Sequence, residues 1–465
     1  MNWQPVILWT DALVWLLTAV VALLLLLKSP HGQLHGASLR LRQMPVAMTT
    51  GLVLSVFIAI ALLDSLHYRA VLPAHPGSPR QYSVEVSSVL DDILRPLREH
   101  KEKTYSAPLA THLYVKENVT LPDGKIARVY PLLRIDNMRL QTGSNDIAHR
   151  VARGIFLGLA FAALVAGLAA AWLMGRRRCG IAELSRRLAA ADDGLPWRSM
   201  LLTVALLSVL TAVMAELAGA FHVLGTDKIG QDVLYETLKS IRTGVLIGTL
   251  TTLIMLPFAV LLGISAGYFG GWVDDAIQYL YTTLNAIPSV LLIAAAVLIM
   301  QVYIEMHPGM FDSAAARTDF RLLFLCLILG VTSWTGLCRV LRGETLKLRE
   351  LEYVQAARAF GVSDGRMMLR HILPNLYHLI LISVVMDFSG LVLAEAVLSY
   401  LGVGVDPAMQ SWGNMINAAR LEMAREPVVW WPLAAAFSLL FVLVLAANLF
   451  ADSVRDALDP RGRQR

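Results

Sequence analysis

The sequence predicts an all-α polytopic membrane protein with one small α+β domain outside the membrane. Of its 465 residues, 56% are hydrophobic and only 16% are charged, and the mean hydropathy is +0.58. A soluble globular protein carries about 25% charged residues. Apolar runs of about 20 residues recur along the chain, and this is the length that a helix needs to cross a bilayer. The net charge of +5 is not concentrated on one basic segment, which argues against nucleic acid as a partner.

Nine apolar runs are candidate membrane spans. They cover residues 5–27, 45–63, 154–174, 200–221, 243–268, 276–302, 320–340, 377–403 and 429–451. The first run is too long for the apolar region of a cleavable secretory signal, and no basic residue precedes it. We therefore expect it to remain as a membrane helix in contact with lipid.

The positive charge lies in segments that fall on one side of the membrane if the nine spans alternate. Residues 28–44 hold three basic side chains and no acid, and residues 175–199 hold six arginines against three acids. Residues 341–376 hold six basic side chains against four acids, and three arginines lie in the last five residues. Because positively charged short loops face the cytoplasm, this pattern predicts a multi-pass inner-membrane protein with its N-terminus outside and its C-terminus inside.

The outer side should carry the one sizeable water-soluble segment, residues 64–150. Apolar residues recur at helical spacing between positions 86 and 97, which predicts a helix. Further on, residues 113–115 and 126–130 flank Pro122-Asp123-Gly124, a pattern typical of a β-hairpin with an Asp-Gly turn. A small α+β extracytoplasmic domain is therefore predicted here.

Four regions follow from these patterns. They are two N-terminal transmembrane helices (1–63), the extracytoplasmic domain (64–150), a third helix with a basic cytoplasmic linker (151–199), and a transmembrane domain of six spans (200–465).

Few residues suggest chemistry. Asp387 and Glu395 share one predicted span and lie within about a quarter-turn of each other, so both could line a path for a protonated amine. A hydrogen bond between helices is the alternative role for these carboxylates. His31 and His35 have HxxxH spacing but lie in a short loop that offers no third ligand, so no metal centre is predicted. No serine has the context of a catalytic nucleophile, so no catalytic site is predicted either. No GxxxxGK[ST] motif occurs, which places any ATPase on another polypeptide.

Several segments after residue 200 resemble one family. They are Leu224-Gly225-Thr226-Asp227, Gly267-Tyr268-Phe269-Gly270-Gly271-Trp272-Val273-Asp274, Ala286-Ile287-Pro288, Glu395–Gly402 with Ser411-Trp412-Gly413, and Asp452–Arg461. In this order they resemble the C-type inner-membrane subunits of the dipeptide, oligopeptide and nickel ABC importers. The resemblance covers about residues 200–461 and implies a type I importer permease core of six spans. The three preceding spans and the outer domain lie outside the resemblance.

The resemblance also assigns a docking loop for an ATP-binding subunit. In the family, a polar helical loop between two spans receives this subunit, and here it corresponds to residues 350–366 with the following Leu373-Pro374. The residues carried over are Tyr353, Gln355, Ala356, Ala357, Arg358, Gly361, Asp364, Leu373 and Pro374. Gln355 stands where the general importer motif has a glutamate, and the Arg370–Asn375 sequence matches the variant of the peptide branch.

The implied protein is a transporter subunit and not an enzyme. Its implied partners are a homologous second permease, two ATP-binding subunits that carry Mg-ATP, and an extracytoplasmic solute-binding protein, with no cofactor in the chain itself. Short peptides are the expected substrate, and nickel or another small solute is the alternative. A non-transporting sensory or assembly protein, or a component of an exporter, are rival functions.

Overall fold

The computed structural model describes residues 3–26, 33–72, 81–120, 126–133, 145–177, 195–311 and 313–458. Within these residues, eight helices are long and apolar enough to cross a membrane, which confirms the prediction of a polytopic helical protein. They are Pro45–Asp64, Asp146–Gly175, Trp197–Ala218, Val233–Phe269, Ser289–Met306, Ala314–Arg349, Asp364–Tyr400 and Trp431–Leu458. A further apolar helix begins at Trp9.

The first predicted span, 5–27, begins later than expected. Its start forms a strand, β1 (Trp3–Val6), and helix α1 covers Trp9–Leu26. β1 pairs antiparallel with β2 (His67–Ala70), and β2 lies between β1 and a third strand. Pro5 has no N–H to donate, and an edge strand tolerates such a residue.

Up to residue 133, the described chain contains four further helices and three further strands. They are α2 (Gln33–Gln43), α3 (Pro45–Asp64), β3 (Ser87–Ser88), α4 (Val89–Ile93), α5 (Arg95–Glu99), β4 (Glu117–Thr120) and β5 (Ile126–Val129). Strands β4 and β5 form the predicted hairpin, although its first strand lies a few residues after the predicted 113–115. The predicted turn at Asp123-Gly124 lies outside the described residues.

The helix predicted between positions 86 and 97 is divided into α4 and α5. Ser88 caps α4, because its side chain accepts a hydrogen bond from Asp91 N–H while the Asp91 carboxylate accepts one from Ser88 N–H. A proline in the first turn of α5 starts a new helix there, since proline cannot continue the hydrogen-bond ladder of the preceding one.

Most of the described residues from 145 onward are helical. The helices are α6 (Asn145–Arg177), α7 (Trp197–Ala218), α8 (Val233–Phe269), α9 (Gly271–Ala286), α10 (Ser289–Met306), α11 (Ala314–Ser333), α12 (Thr335–Arg349), α13 (Glu352–Ala359), α14 (Asp364–Met367), α15 (Leu373–Tyr400), α16 (Trp412–Glu422) and α17 (Trp431–Leu458).

The predicted span 276–302 is not one continuous helix. Ile287 is extended (φ −89°, ψ 129°) and Pro288 follows it, so α9 ends and α10 begins at this point. The ring of a proline disfavours helical geometry in the residue before it, which explains the break.

Helix α8 runs parallel to the α11–α12 pair. Close approaches join Ile254 to Gly330 and, further along both helices, Gly267 to Thr345. Helices α9 and α10 therefore return the chain across the bundle between them. We call the end of the bundle that carries residues 350–363 the loop end. The opposite end, which carries residues 65–72, 81–120 and 126–133, is the domain end.

One face of helix α3 packs against the core helices of the bundle. Phe57 and Ala61 are 5% and 3% exposed and lie in one apolar cluster with Ile241 of α8 and Leu440 of α17. By contrast, α7 presents an exposed apolar stripe of Leu202, Leu206 and Leu210. The proposed domain boundary at residue 200 therefore separates α3 from helices that it packs against.

Candidate docking site

The candidate docking loop lies between two candidate spans, Ala314–Arg349 and Asp364–Tyr400. Its helix α13 is held to the bundle by Val354, which is 2% exposed and packs in one apolar cluster with Met367 and Ile372. Burial of one side chain from this short helix leaves most of its surface open to a partner.

A glycine turn ends α13. The N–H of Gly361 donates to Arg358 O at 3.0 Å, and the N–H of Val362 donates to Ala357 O at 3.2 Å. These two bonds form a Schellman motif, in which the residue after the helix adopts a left-handed conformation. Gly361 has φ +79°, and no atom lies within 4 Å of the position that a Cβ would occupy. Backbone conformation, and not lack of space, therefore favours glycine here.

Two side-chain hydrogen bonds join the loop to two different spanning helices. The Tyr268 hydroxyl, near the end of α8, donates to Asp364 Oδ1 at 2.7 Å. The Asn375 amide, in the first turn of α15, donates to the Tyr353 hydroxyl at 2.9 Å. The loop is therefore tied by side-chain hydrogen bonds to both α8 and α15.

A cleft of about 410 Å³ opens beside α13 at the loop end. It is lined by Tyr268, Phe269, Arg349, Glu350, Val354, Gln355, Arg358 and Asp364. The Arg349 guanidinium spans one wall, because its Nη1 lies 3.4 Å from the carbonyl oxygens of both Gly267 and Tyr268. The cleft thus carries both signs of charge on its walls.

The residues predicted for docking are mostly accessible. Tyr353, Gln355, Ala356, Arg358, Gly361, Asp364 and Pro374 are exposed, and Ala357 and Leu373 are half-buried. The loop therefore presents most of these side chains to its surroundings.

Pro374 lies in the first turn of α15, and a π-helical turn, Met368–Ile372, precedes it. A proline inside a helix lacks one N–H and crowds the preceding turn, and a wider turn relieves both problems. The predicted start of a span at Pro374 is therefore a distortion within the helical segment Asp364–Tyr400.

Comparison with known proteins identifies the family. Residues 259–464 match the family described as binding-protein-dependent transport system inner membrane component. The oligopeptide transport system permease protein OppC of Mycobacterium bovis is 34% identical over 53% of this chain and 78% of its own length. The glutathione transport system permease protein GsiD of Pectobacterium atrosepticum is 35% identical, over 52% and 73%. The dipeptide transport system permease protein DppC of Alkalihalophilus pseudofirmus is 32% identical, over 52% and 73%.

The chain belongs to this permease family. It is therefore a multi-pass membrane subunit of an ABC importer and not an enzyme, and ATP hydrolysis belongs to a separate polypeptide. The family model matches this chain only from residue 259 onward. The relatives cover about half of the chain, so the comparisons say nothing of most of its N-terminal half.

The two carboxylates predicted for a translocation path have different surroundings. Asp387 is half-buried, and no hydrogen-bond partner for it occurs among the described residues. Glu395 is 1% exposed, and its Oε1 accepts a hydrogen bond from Ser399 Oγ at 2.7 Å. Glu395 Oε1 also lies 3.0 Å from the position that a Cβ of Gly413 in α16 would occupy, so Glu395 packs between α15 and α16. A role for either carboxylate in a translocation path stays a prediction.

Sequence reasoning missed a buried ionic junction at the domain end of the permease. The Arg242 guanidinium donates to Asp11 Oδ1 at 2.7 Å and lies 3.7 Å from Asp319 Oδ1. Asp11 Oδ2 also lies 2.7 Å from His67 Nδ1, and Thr10 N–H donates to Asp319 Oδ2 at 3.0 Å. These contacts join α1, β2, α8 and α11, so the N-terminal segment is fixed to the permease core.

A second junction lies next to the first. Lys239 Nζ lies 2.7 Å from Asp64 Oδ1 and 2.9 Å from Asp91 Oδ1, and the Tyr235 hydroxyl donates to the same Asp91 oxygen at 2.8 Å. It connects α3 and α4 to α8. Asp64 and Asp91 are 3% and 5% exposed, and buried charges of this kind require partners.

His222 makes a third connection, between Glu102 at the domain end and the core. It is 1% exposed, its Nδ1 lies 2.7 Å from Asp232 Oδ2, and its Nε2 lies 3.8 Å from Glu102 Oε1. Burial lowers the pKa of His222, but the two carboxylates outweigh burial and raise its pKa to about 9. Asp232 in turn caps α8, since its Oδ1 accepts from Leu234 N–H.

The loop that precedes α8 is hydrogen-bonded to residues 104–106 at the domain end. Thr226 Oγ1 accepts from Ser106 N–H at 2.6 Å, and the Trp431 indole donates to Thr226 O at 3.0 Å. Tyr105 and Tyr114 pack edge-on against the Trp431 ring. The motif around Thr226 could be recognised in the sequence through the family resemblance, but its contacts with residues 105–114 and 431 could not.

Among the described residues, no group of three or more metal-ligating side chains is placed to hold a metal ion.

Proposed function

We propose that this permease subunit translocates short peptides across the inner membrane, together with a homologous second permease. The relatives named for oligopeptides, dipeptides and glutathione support this substrate class. The single observation that carries the mechanism is the docking loop, which hydrogen bonds join to both α8 and α15.

In the proposed mechanism, two ATP-binding subunits power the pair of permeases, and one of them docks at residues 350–366 of this chain. ATP-Mg closes the two motor subunits on each other, and the loop moves with the subunit bound to it. The Tyr268–Asp364 and Asn375–Tyr353 hydrogen bonds carry that movement into the spanning helices. The bundle then alternates between two arrangements that open to opposite sides of the membrane.

The proposed orientation places the loop end in the cytoplasm. The basic segments at this end support that side, because lysine and arginine are enriched in cytoplasmic loops. The domain end then faces outward, where an extracytoplasmic solute-binding protein delivers the peptide. The outer domain stands beside the α16–α17 connection at this end, because the Tyr114 hydroxyl donates to Val428 O at 3.1 Å.

Co-purification tests the docking assignment. Ala357→Asp and Gly361→Asp should each release the ATP-binding subunit, since both add a charge to the proposed contact surface. Gln43→Asp adds the same charge to an exposed residue of α2 and should leave the complex intact. Retention of the ATP-binding subunit by both loop variants, with normal uptake, would contradict docking at this loop.

Peptide uptake tests the substrate class. The complete transporter, reconstituted in proteoliposomes with ATP inside or outside as its orientation requires, should accumulate labelled trialanine. Free nickel is the competing substrate in a parallel assay. Accumulation of nickel without trialanine would replace the peptide assignment, and the absence of any ATP-dependent uptake would favour a sensory or assembly function.

A further inference from the structure

One segment at the domain end, residues 102–114, touches two separate parts of the permease core. We call this segment the strap. On one side it contacts the loop that precedes α8, residues 219–232, and on the other it contacts the connection between α16 and α17, residues 423–430. The strap therefore joins the entrance to α8 with the entrance to α17.

The contact with the loop before α8 is built from backbone hydrogen bonds. The N–H of Glu102 donates to Gly230 O at 2.9 Å, and the N–H of Thr226 donates to Ser106 O at 3.1 Å. Thr226 and Ser106 are fully buried. The Trp431 indole donates to Thr226 O at 3.0 Å, so the start of α17 belongs to the same side. Buried backbone groups lose such partners only at a large cost, and this side of the strap is therefore fixed.

The contact with the connection is made by the ends of side chains. The Tyr114 hydroxyl donates to Val428 O at 3.1 Å, and the Arg425 guanidinium lies 5.5 Å from the centre of the Tyr105 ring. Six consecutive residues of the connection, 423–428, are exposed. Because water can replace each of these polar contacts, this side of the strap can open at a much lower cost than the fixed side.

Helix α16 lies against both α8 and α15 at the domain end. The Trp412 indole donates to Thr237 O of α8 at 3.1 Å, and a Cβ on Gly244 would lie 2.8 Å from the Trp412 ring. On the other side, a Cβ on Gly413 would lie 2.5 Å from Ser399 Cβ of α15. Helix α16 therefore shields the parts of both helices that it touches.

The C-terminal end of α16 is held by the strap. Glu422 is the last residue of this helix, and burial together with the neighbouring Glu422 carboxylate raises the pKa of the Tyr105 hydroxyl. Arg425 lies 3.2 Å from Glu422 Oε2 and over the same tyrosine ring. Release of the connection from the strap would therefore free this end of α16.

We propose that the strap is a latch that holds α16 closed over the domain ends of α8 and α15, and that it releases the connection each time this end of the permease opens. This inference rests on the alternating access of the proposed function. The bonds to the loop before α8 stay formed throughout the cycle. The contacts of Tyr105 and Tyr114 with the connection break and form again.

Cross-linking tests whether the latch has to open. Tyr114→Cys and Val428→Cys are combined with Cys179→Ser in the complete transporter in proteoliposomes, and a short bis-maleimide joins the two new cysteines. The cross-link should abolish ATP-dependent uptake of trialanine. Each single-cysteine variant should transport normally after the same treatment.

The matched control is a cross-link on the fixed side. Lys101 and Ile229 are exposed and flank the hydrogen bond between Glu102 and Gly230. A cross-link between Lys101→Cys and Ile229→Cys should leave uptake within twofold of the untreated protein, because this contact does not open.

Thiol labelling measures the latch without transport. Thr237 is fully buried beneath α16, and its hydroxyl lies 3.9 Å from Met415 Sδ of that helix. A water-soluble maleimide should label Thr237→Cys about fivefold faster when Tyr114→Phe is added, which is the factor for loss of one ordinary hydrogen bond. Tyr130→Phe removes a hydroxyl from a tyrosine that is 51% exposed and should leave the labelling rate unchanged. The native Cys326 and Cys338 are buried and should not react.

The outcomes separate this proposal from the proposed function. Uptake above half the native rate with positions 114 and 428 cross-linked would overturn the latch, because the connection would not need to leave the strap. Loss of uptake with both cross-links would also overturn it, since the fixed side would then have to move. Equal labelling of Thr237→Cys with and without Tyr114→Phe would refute the holding role of Tyr114. If the native transporter takes up no peptide, the proposed function fails, and the labelling rates alone decide on the latch.

Discussion

Replacement of Arg242 by methionine tests whether the N-terminal segment is part of the permease core. Arg242 is 5% exposed, and it is the cation that Asp11 of α1 and Asp319 of α11 share. Methionine has a similar length and no charge, so Arg242→Met removes the cation and leaves both carboxylates in place. We expect α1 to separate from α8 and α11 at the domain end.

The magnitude follows from the burial of these groups. Removal of one partner from a buried ion pair typically costs about 3–5 kcal/mol, because the remaining charge has lost its compensation. Asp11 retains His67 at 2.7 Å and Asp319 retains the N–H of Thr10 at 3.0 Å, which places the expected loss near the lower value. Asp11→Asn in the same chain removes one uncompensated charge, and the double variant should recover at least about 1 kcal/mol.

The assay is the free energy of unfolding in mixed micelles for the native chain, both single variants and the double variant. Arg95→Met is the matched control, because the Arg95 side chain is 61% exposed beside Asp92 at the surface, and it should give no measurable change. A loss below about 1 kcal/mol for Arg242→Met, or simple additivity of the two substitutions, would refute the reasoning. Either result would mean that water or another group compensates these charges.

Three other perturbations have defined outcomes. The pKa of His222 is raised from 6.5 to about 9, so its stabilising contribution is complete below pH 6.5 and is lost as pH rises through 9. Unfolding temperatures measured from pH 6 to pH 10 should therefore fall at the alkaline end, and His222→Gln should reduce that fall. Gly267→Ala would place a Cβ 2.6 Å from Thr345 Cβ and should cost about 1–3 kcal/mol of unfolding free energy. Tyr268→Phe removes the hydrogen bond to the loop, and peptide uptake per ATP hydrolysed should fall severalfold while the ATP-binding subunit stays bound.

Each of these tests has its own control. Gly343→Ala, where no atom lies within 4 Å of the added Cβ, should leave stability almost unchanged. An unaltered pH profile for His222→Gln would contradict the assignment of the alkaline loss to this histidine. Equal uptake per ATP for Tyr268→Phe and the native chain would show that the hydrogen bond carries no movement.

The spanning helices could be predicted because their signal is local. A run of about 20 apolar residues is a property of neighbouring positions, and eight of the nine predicted runs contain or overlap long apolar helices of the structure. The break between α9 and α10 at Pro288 also has a local cause. It was missed because one proline changes the mean hydropathy of a run of about 20 residues very little. The docking role of residues 350–366 stays a prediction from a resemblance, and the structure adds the two hydrogen bonds that join them to the bundle.

The domain-end junctions could not be predicted because their partners are far apart in the sequence. Thr10 and Asp319 are separated by 309 positions, and Asp11 and Arg242 by 231. Nothing in the local pattern around Arg242 distinguishes a buried cation from a solvated one at the end of a span. For the same reason, composition could not predict that α3, which precedes the proposed boundary at residue 200, packs against α8 and α17.

The two attachment points of the docking loop also have a mechanical meaning. Helices α8 and α15 run in opposite directions, because Gly248 packs on Val392 while the later Tyr268 and the earlier Leu376 share a cluster. A loop that is hydrogen-bonded to one helix can transmit only a linear force to it. A loop that is bonded to two helices can also exert a torque on the pair. Rotation of a partner bound to residues 350–366 would therefore become shear between the two helices. If a partner docks there, the two hydrogen bonds would let the loop apply a torque to the helices as well as a linear force.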